Sequence, residues 1–517
     1  MSESAPTPPR LLSRVLGTVE RVGNALPEPA TLFAIMALGT LLLSGIAEAI
    51  GLAVAHPATG EIIPAISLLN LAGFQRIVQE MVHVFVNFHP LGVVIVCLLG
   101  IAVAERTGLI GAAVRALVLS TPRAWVTPIV VLAGVLSNIG ADVGYVLLIP
   151  LAATIFHAVG RHPIAGLAAG FAGVSGGFSA NLLISAIDVI LAGLSQEAAN
   201  LIDPNYVVTG LANYYFIFVS TFIVVGIGTW VTHRIVEPRL GTYGGSVEPE
   251  ALKPLEAAEK RGLWFAAIFM VISAGLLVAG VVPADGFLRN PTYPDLMMRA
   301  LPFSYLVPFL FVLGFGNGFA YGIGARTIKS DRDIVGGMND AMGTLGAYLV
   351  LAFFASQFIA FFNWTNLGLI FAVKGAGALQ ALGLDDWPIP MMVGLVLLAA
   401  VINLLVGSAS AKWALIAPIF VPMFMLLGCS PELVQAAYRV GDSVTNIVTP
   451  LMAYFPLIIT FARKYDPDTG MGTIIATMLP YSFALMIAWT IMLAIWIMTG
   501  LPLGPNAPLY LNSQLHR

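Results

Sequence analysis

The 517-residue chain is short of charge: 24 Lys and Arg and 27 Asp and Glu make up only 10 % of its positions. A soluble chain carries about a quarter charged residues to solvate its surface, so a string of soluble domains is excluded. The charges nearly cancel, at −3 net, and give no basic surface for a nucleic-acid partner. The two cysteines, Cys97 and Cys429, lie in or beside apolar stretches and exclude a disulfide framework. No HExxH and no P-loop Gly-Lys-Ser/Thr is present. Gly173-Val174-Ser175-Gly176-Gly177 matches G-x-S-x-G, but it sits in a long apolar stretch instead of the strand-to-helix turn that hydrolases require. No loop is large enough for a nucleotide-binding domain, so an ATP-driven pump is excluded, and an enzyme reading has no support. No cofactor is expected.

What the chain has is apolar length. Hydrophobic residues fill 58 % of it, and a helix needs about 20 of them to cross a bilayer. The expected class is an all-α polytopic membrane protein. Spans are expected at 29–54, 91–112, 163–196, 210–232, 263–283, 303–325, 335–363, 432–463 and 473–499. Residues 1–28 form a tail in which Arg10, Arg14 and Arg21 lie opposite an apolar face. This predicts a surface helix over 10–25 and not a cleaved signal.

Lys and Arg gather at 10–21, 106–123, 234–261, 326–332 and 463–464, and are nearly absent from 55–90 and 197–209. The positive-inside rule places the first set, and with it the N-terminus, in the cytoplasm. Two apolar stretches, 125–158 and 389–427, are too long for a simple span and polar in their middles. Every cluster is satisfied if each stretch enters and returns on one side, the first from the cytoplasm and the second from outside. The expected layout is therefore nine spans and two opposed re-entrant hairpins. A first membrane half (29–232) and a second (263–499) are joined by a cytoplasmic loop at 233–262, and a tail follows at 500–517.

An internal repeat supports this layout. At a shift of 268, 11 of 47 positions in 137–183 match 405–451, among them Pro150/Pro418, Gly160/Gly428, Pro163/Pro431, Gly173/Gly441 and Ser175/Ser443. Tyr145 falls on Trp413. Each copy has a polar hairpin tip followed by a helix interrupted by small and polar residues. The tips hold Ser137, Asn138 and Asp142 in one copy, and Ser408, Ser410, Lys412 and Trp413 in the other. The breaks hold Ser175, Ser179 and Asn181, and Asp442, Ser443 and Asn446. Broken backbone survives in hydrocarbon only when buried in protein or lining a wet cavity. Inverted repeats with broken helices near the midplane mark secondary transporters. Freed amides there suit carboxylates, while freed carbonyls and the oxygens of Asn138, Ser175, Ser443 and Asn446 suit Na⁺. Small residues in membrane helices also serve close packing. Two matched pairs of clusters favour a site.

Intramembrane charge costs several kcal/mol and calls for a partner or a function. Asp188 has no basic residue near it in sequence, which suits a titrating carboxylate. Arg439 and Asp442 lie three apart, so they form either a structural ion pair or an anion-binding Arg beside a titratable or cation-binding Asp. Trp413 suits an interfacial anchor or stacking on an aromatic ligand.

The strings Gly-Ser-Ala-Ser-Ala-Lys-Trp-Ala-Leu-Ile-Ala-Pro-Ile-Phe-Val-Pro-Met (407–423) and Tyr-Arg-Val-Gly-Asp-Ser-Val-Thr-Asn-Ile-Val-Thr-Pro-Leu (438–451) are similar to those of the p-aminobenzoyl-glutamate transporter family. So is Gly-Gly-Phe-Ser-Ala-Asn-Leu-Leu (176–183), with Asp188 following. The resemblance runs from about Arg21 through the last span. It implies a homodimer in the bacterial inner membrane, with nine spans and two hairpins per protomer. It also implies uptake of p-aminobenzoyl-glutamate or export of sulfonamide-like antimetabolites, driven by Na⁺ or H⁺. Transport residues carried over by matching position are Asp188, Ser410, Trp413, Pro431, Arg439, Asp442 and Pro450. The ligand would be an aromatic amide with two carboxylates, or a sulfonamide. Rival readings are a dicarboxylate carrier and, more distantly, an ion channel. A channel would need a continuous polar pore, whereas the polar residues here cluster between apolar stretches.

Overall fold

In the computed structural model the described residues are 27–55, 62–139, 144–248, 254–281, 283, 286–289, 306–384, 386–452 and 454–511. They are helical almost throughout, and their one sheet is a two-stranded hairpin, β1 (Ala53–Ala55) and β2 (Ile62–Pro64). The protein is an all-helical polytopic membrane protein. Six helical runs are long and apolar enough to cross a bilayer, or eight if two bent pairs each count as one.

The first half contains α1 (Pro29–Ala49), α2 (Leu71–Val86), α3 (His89–Arg106) and α4 (Leu109–Leu119). Next come α5 (Val126–Ser137), a wide turn at Gly144–Leu148 that continues into α6 (Ile149–Ala158), and α7 (Pro163–Phe171). A wide turn at Ala172–Gly176 and irregular backbone to Ser185 separate α7 from α8 (Ala186–Ala199), and α9 (Tyr214–Val231) follows. The second half runs α10 (Ala257–Val281), α11 (Leu306–Ala325), α12 (Asp331–Thr344), α13 (Gly346–Trp364) and α14 (Leu367–Ala381). It continues with α15 (Pro388–Asn403), α16 (Ala409–Met425) and α17 (Pro431–Thr445), then irregular backbone, α18 (Phe455–Arg463) and α19 (Met471–Thr499).

The structure repeats where the sequence does. Gly160 and Gly428 both take left-handed backbone, at φ 80° and 83°, a conformation glycine adopts without steric cost. Each lies three residues before the proline that opens the next helix, Pro163 of α7 and Pro431 of α17. Proline suits that first position because the helix does not use its N–H. Gly173 and Gly441 also correspond. A Cβ on Gly173 would strike the Val131 carbonyl oxygen of α5, and one on Gly441 the Val396 carbonyl oxygen of α15. The first arm of each hairpin therefore lies backbone to backbone on its broken helix, where only glycine fits. Arm α16 crosses to the other copy and packs on α8.

Some expected boundaries need correction. The helix expected over 91–112 stops at Arg106 and restarts at Leu109, because Gly108 takes left-handed backbone (φ 88°). The span expected over 335–363 is two helices, α12 and α13, bent by 47° at a break flanked by Gly343 and Gly346. Two stretches read as outer loops contain α2 and α14. The amide of Gly73 donates to the Asn70 side chain at 2.7 Å, which caps α2. The expected tail at 500–517 is anchored over its described part. Leu503 O accepts from Tyr215 N, Leu509 O accepts from Ser430 N, and Leu511 N donates to Gly428 O. The surface helix expected over 10–25 lies outside the described residues, as does Asp142.

Candidate functional site

The two helix breaks meet. Ser179 N, in the first, donates at 3.0 Å to Ser443 Oγ, which lies not in the second break, as expected, but in the last turn of α17 leading into it. Asn446 Nδ2 approaches Ser175 O at 3.5 Å, and Ser175 Oγ donates to Met452 Sδ at 3.1 Å. Each hairpin supplies an Asn that takes up a carbonyl of its broken helix. Asn138, at the end of α5, donates to Val174 O at 3.0 Å. Asn403, at the end of α15, donates to Asp442 O at 2.6 Å. Val174 and Asp442 are repeat equivalents at the shift of 268, so the same freed carbonyl is satisfied twice by different residues. Buried backbone oxygens rarely go unpaired.

Two buried ion pairs cross this region. Lys412 Nζ, in the first turn of α16, lies 2.5 Å from Asp442 Oδ1, and both side chains are within 1 % of full burial. Lys412 also donates to Asn403 Oδ1. Tyr438 Oη donates to Ala409 O at 2.6 Å and lies 3.2 Å from Asp442 Oδ1. Arg439 Nη2, on α17, lies 2.8 Å from Asp188 Oδ1, on α8. The other carboxylate oxygen of Asp188 accepts from Ser185 N at 2.7 Å and from Ser185 Oγ at 2.8 Å, closing a capping box at the start of α8. Gln435 lies beside the second pair, one turn before Arg439 on α17. With its amide oxygen facing the guanidinium it accepts from Arg439 Nε and Nη2 at 3.3 Å, and its amide nitrogen donates to Ser195 Oγ at 2.9 Å.

This wiring corrects two sequence expectations. Arg439 and Asp442 do not pair with each other, because Lys412 and Asp188 reach them from α16 and α8. Asp188 is no isolated carboxylate among apolar neighbours, since Arg439 neutralises it from a helix far away in sequence. Lys412 and Trp413 are not in the hairpin turn either. Ser408 caps the helix by accepting from Ala411 N at 3.4 Å, so both fall in the first turns of α16.

Trp413 is fully buried. Its Nε1 donates to Leu191 O at 3.2 Å and Ser195 Oγ at 3.0 Å, and its ring stacks on Tyr438 with centroids 4.6 Å apart. Neither face is open to a ligand in this conformation. Ser410 lies one turn away, 3.4 Å from Ser408 through their hydroxyls. Ser137 donates to Gly134 O at 2.6 Å, and Asn181 Nδ2 reaches Val135 O at 3.4 Å. Pro431 opens α17, and Pro450 lies in the irregular backbone before α18.

Of the oxygens named for Na⁺, Ser443 Oγ and Asn446 Oδ1 already accept hydrogen bonds and Ser175 Oγ is used on Met452. Asn138 Oδ1 has no partner. Among the described residues no group of three or more His, Cys, Asp or Glu gathers in metal-binding geometry. Residues that sequence reasoning passed over are Asn403, Tyr438, Ser195, Gln435 and Ser185. Asn403 carried a signal, as a lone amide ending an otherwise apolar helix.

Four buried polar atoms around the breaks have no hydrogen-bond partner: Arg439 Nη1, Asp442 Oδ2, Ser179 Oγ and Asn138 Oδ1. Such atoms cost about 1–3 kcal/mol each when left unpaired. A cationic donor, an anionic acceptor, a hydroxyl and an amide oxygen together suit a ligand that has both carboxylates and N–H groups.

The model of the AbgT putative transporter family matches residues 14–511. A curated relative, the p-aminobenzoyl-glutamate transport protein of Escherichia coli K12, is 35 % identical over 494 residues, covering 95 % of this chain and 96 % of its own. Two solved structures are similar. The YdaH transporter of Alcanivorax borkumensis, described as having an unusual topology, is 44 % identical with a TM-score of 0.88, covering 93 % of this chain and all of its own. MtrF of Neisseria gonorrhoeae, described as illuminating a class of antimetabolite efflux pumps, is 47 % identical with a TM-score of 0.90, covering 96 % of this chain and all of its own.

Proposed function

The chain belongs to the AbgT transporter family, and from that premise we propose an ion-coupled secondary transporter that binds p-aminobenzoyl-glutamate between the two helix breaks. The observation that carries this reading is the unpaired Nη1 of a buried arginine, Arg439, beside the other orphaned polar atoms. An Arg held from one side by Asp188 and Gln435 keeps a free edge of its fork for a ligand carboxylate. Asp442 Oδ2 is placed to accept from a ligand amide or to take part in ion coupling. Trp413 acts as a positioning residue, fixing α16 against α8.

In this reading the six long helices, the bent α12–α13 pair and the two broken helices, α7–α8 and α17–α18, are the nine spans. The pairs α5–α6 and α15–α16 are the opposed hairpins. The N-terminus is cytoplasmic, the membrane is the bacterial inner membrane, and the protomer pairs as a homodimer, as the resemblance implies. The coupling ion is Na⁺ or H⁺. Export of sulfonamide-like antimetabolites is the second reading, favoured by the similarity to MtrF.

Purified protein in liposomes, given labelled p-aminobenzoyl-glutamate under an imposed Na⁺ or pH gradient, tests this. Gradient-dependent accumulation is expected, abolished in Arg439→Ala. No flux of this compound with either ion would overturn the substrate. Gradient-driven movement of a sulfonamide alone would favour the second reading.

A further inference from the structure

The repeat sets two dissimilar places in equivalent positions. Around the second break stand Lys412, Arg439 and Asp442. At the shift of 268 their counterparts are Gly144, Phe171 and Val174, none able to bear charge. At these three positions charge is therefore carried by the second copy alone.

The aromatic residues do not follow that division. Tyr145, in the wide turn that opens the second arm of the first hairpin, is the counterpart of Trp413. It stacks on Tyr454 with centroids 4.6 Å apart and planes 13° from parallel. Trp413 stacks on Tyr438 at the same 4.6 Å. The two stacks differ in access. Trp413 and Tyr438 are both fully buried, with the indole N–H and the phenol already bonded. Tyr145 is itself buried, at 7 % exposure, whereas Tyr454 is only partly buried. The Tyr145–Tyr454 stack also bridges the copies. Tyr145 belongs to the first hairpin, and Tyr454 immediately precedes α18, the far half of the second broken helix. Met452, two residues before Tyr454, receives the Ser175 hydroxyl of the first break. The stack thus adjoins the seam where the breaks meet.

The geometry points to a bipartite ligand site, in which the Tyr145–Tyr454 stack receives the aromatic ring of the ligand and the Arg439 side receives its carboxylates. This rests on the proposed substrate reading and assigns its aromatic end. The ring adds to the stack from the side of Tyr454, the less buried of the two rings, where aromatic pairs gain beyond simple burial. An amide-linked aromatic dicarboxylate carries both chemistries on one molecule, which a purely aliphatic dicarboxylate does not.

Binding to the purified full-length protein tests this, with two probes: p-aminobenzoyl-glutamate, and N-acetyl-glutamate, which keeps the amide and both carboxylates but has no ring. Tyr145→Leu and Tyr454→Leu should each weaken p-aminobenzoyl-glutamate binding about threefold to tenfold, the range for loss of one stacking pair. Their affinity for N-acetyl-glutamate should be unchanged, and Tyr145→Phe and Tyr454→Phe should bind as the unaltered protein does. The Phe variants keep the test meaningful if a Leu variant fails to fold, because a Phe variant that loses affinity places recognition in the hydroxyl and overturns the stacking. Equal loss for both probes, or no loss for the ringed one, also overturns it. Unaltered protein that binds N-acetyl-glutamate as tightly as the ringed compound does the same. Unaltered protein that binds neither probe refutes the substrate reading itself, a result distinct from all of these.

Discussion

The Arg439–Asp188 pair ties α17 to α8, and its removal should be costly in a predictable pattern. With the charged atoms 2.8 Å apart and an effective dielectric of about 20, the attraction is about 6 kcal/mol. Desolvating each ion costs several kcal/mol, so the intact pair is close to break-even. Losing one member is different. In Asp188→Ala the guanidinium stays buried with only Gln435 to accept from it, and α8 loses the cap on Ser185. Stranding a buried charge costs about 3–5 kcal/mol, and a lost cap adds about 1 kcal/mol. Arg439→Leu should cost about 3–5 kcal/mol for the converse reason. The double variant Asp188→Ala, Arg439→Leu strands no charge, though it still lacks the cap, and should be less destabilised than the sum of the singles by about 2–3 kcal/mol. Equilibrium unfolding in mixed micelles gives the four free energies. Transport by the same four proteins should fall in both Arg439 variants whatever their stability. Additive stabilities would refute the pair as an energetic unit, and transport that tracked stability alone would refute a ligand role for Arg439.

Lys412→Met should destabilise by about 3–5 kcal/mol by orphaning Asp442, and Asp442→Asn in the same chain should restore much of that, measured by the same unfolding assay. Gly441→Ala should cost about 1–3 kcal/mol or more, because the added methyl meets the Val396 carbonyl, while Gly394→Ala, with open space around it, should be nearly neutral; thermal melts compare them. Burial lowers the pKa of His162 from its ordinary value of 6.5, and its neutral Nδ1 accepts from Ile164 N at 3.2 Å to cap α7. The folded protein then binds this proton less readily than the unfolded chain does. The contribution is present above pH 6.5 and lost as pH falls below it. His162→Asn, which keeps a capping acceptor, should flatten the stability profile between pH 7 and 5, and an unchanged profile would assign that slope elsewhere.

Local chemistry made the architecture readable in the chain. Apolar length marked the membrane class, and the Gly–Pro spacing at 160–163 and 428–431 marked two equivalent turns before any coordinates. The first broken helix comes apart within Ser175–Asn181, whereas α17 runs on through Asp442 to Thr445 and comes apart only from Asn446. Partnership was not readable. Arg439 has Asp442 one turn away on its own helix, so proximity in sequence pointed to the wrong carboxylate. The correct one, Asp188, is brought in only by the packing of the two copies. The contacts of Trp413 were equally unreadable, since only the fold brings α8 and Tyr438 against it. Helices α2 and α14 escaped because neither is long enough to register as a crossing, and their caps, Asn70 and a left-handed Asn366, are weak signals without a structure.

The glycine contacts at 173 and 441 also constrain motion. Side chains that interdigitate can re-seat one notch along, but main chain resting on main chain offers no second notch, because any shift brings a Cβ of the facing helix into the space. Arm α5 is therefore locked to the first half of its broken helix, and α15 to α17. A rearrangement that exposes the site to one face of the membrane and then the other has to carry each arm and helix as one block. The same contact recurs between α6 and α7, where a Cβ on Gly166 would strike the Ala152 carbonyl oxygen, so the whole first hairpin travels with α7. The repeat thus supplies a pair of rigid levers, each made of a hairpin arm and the helix it rests on.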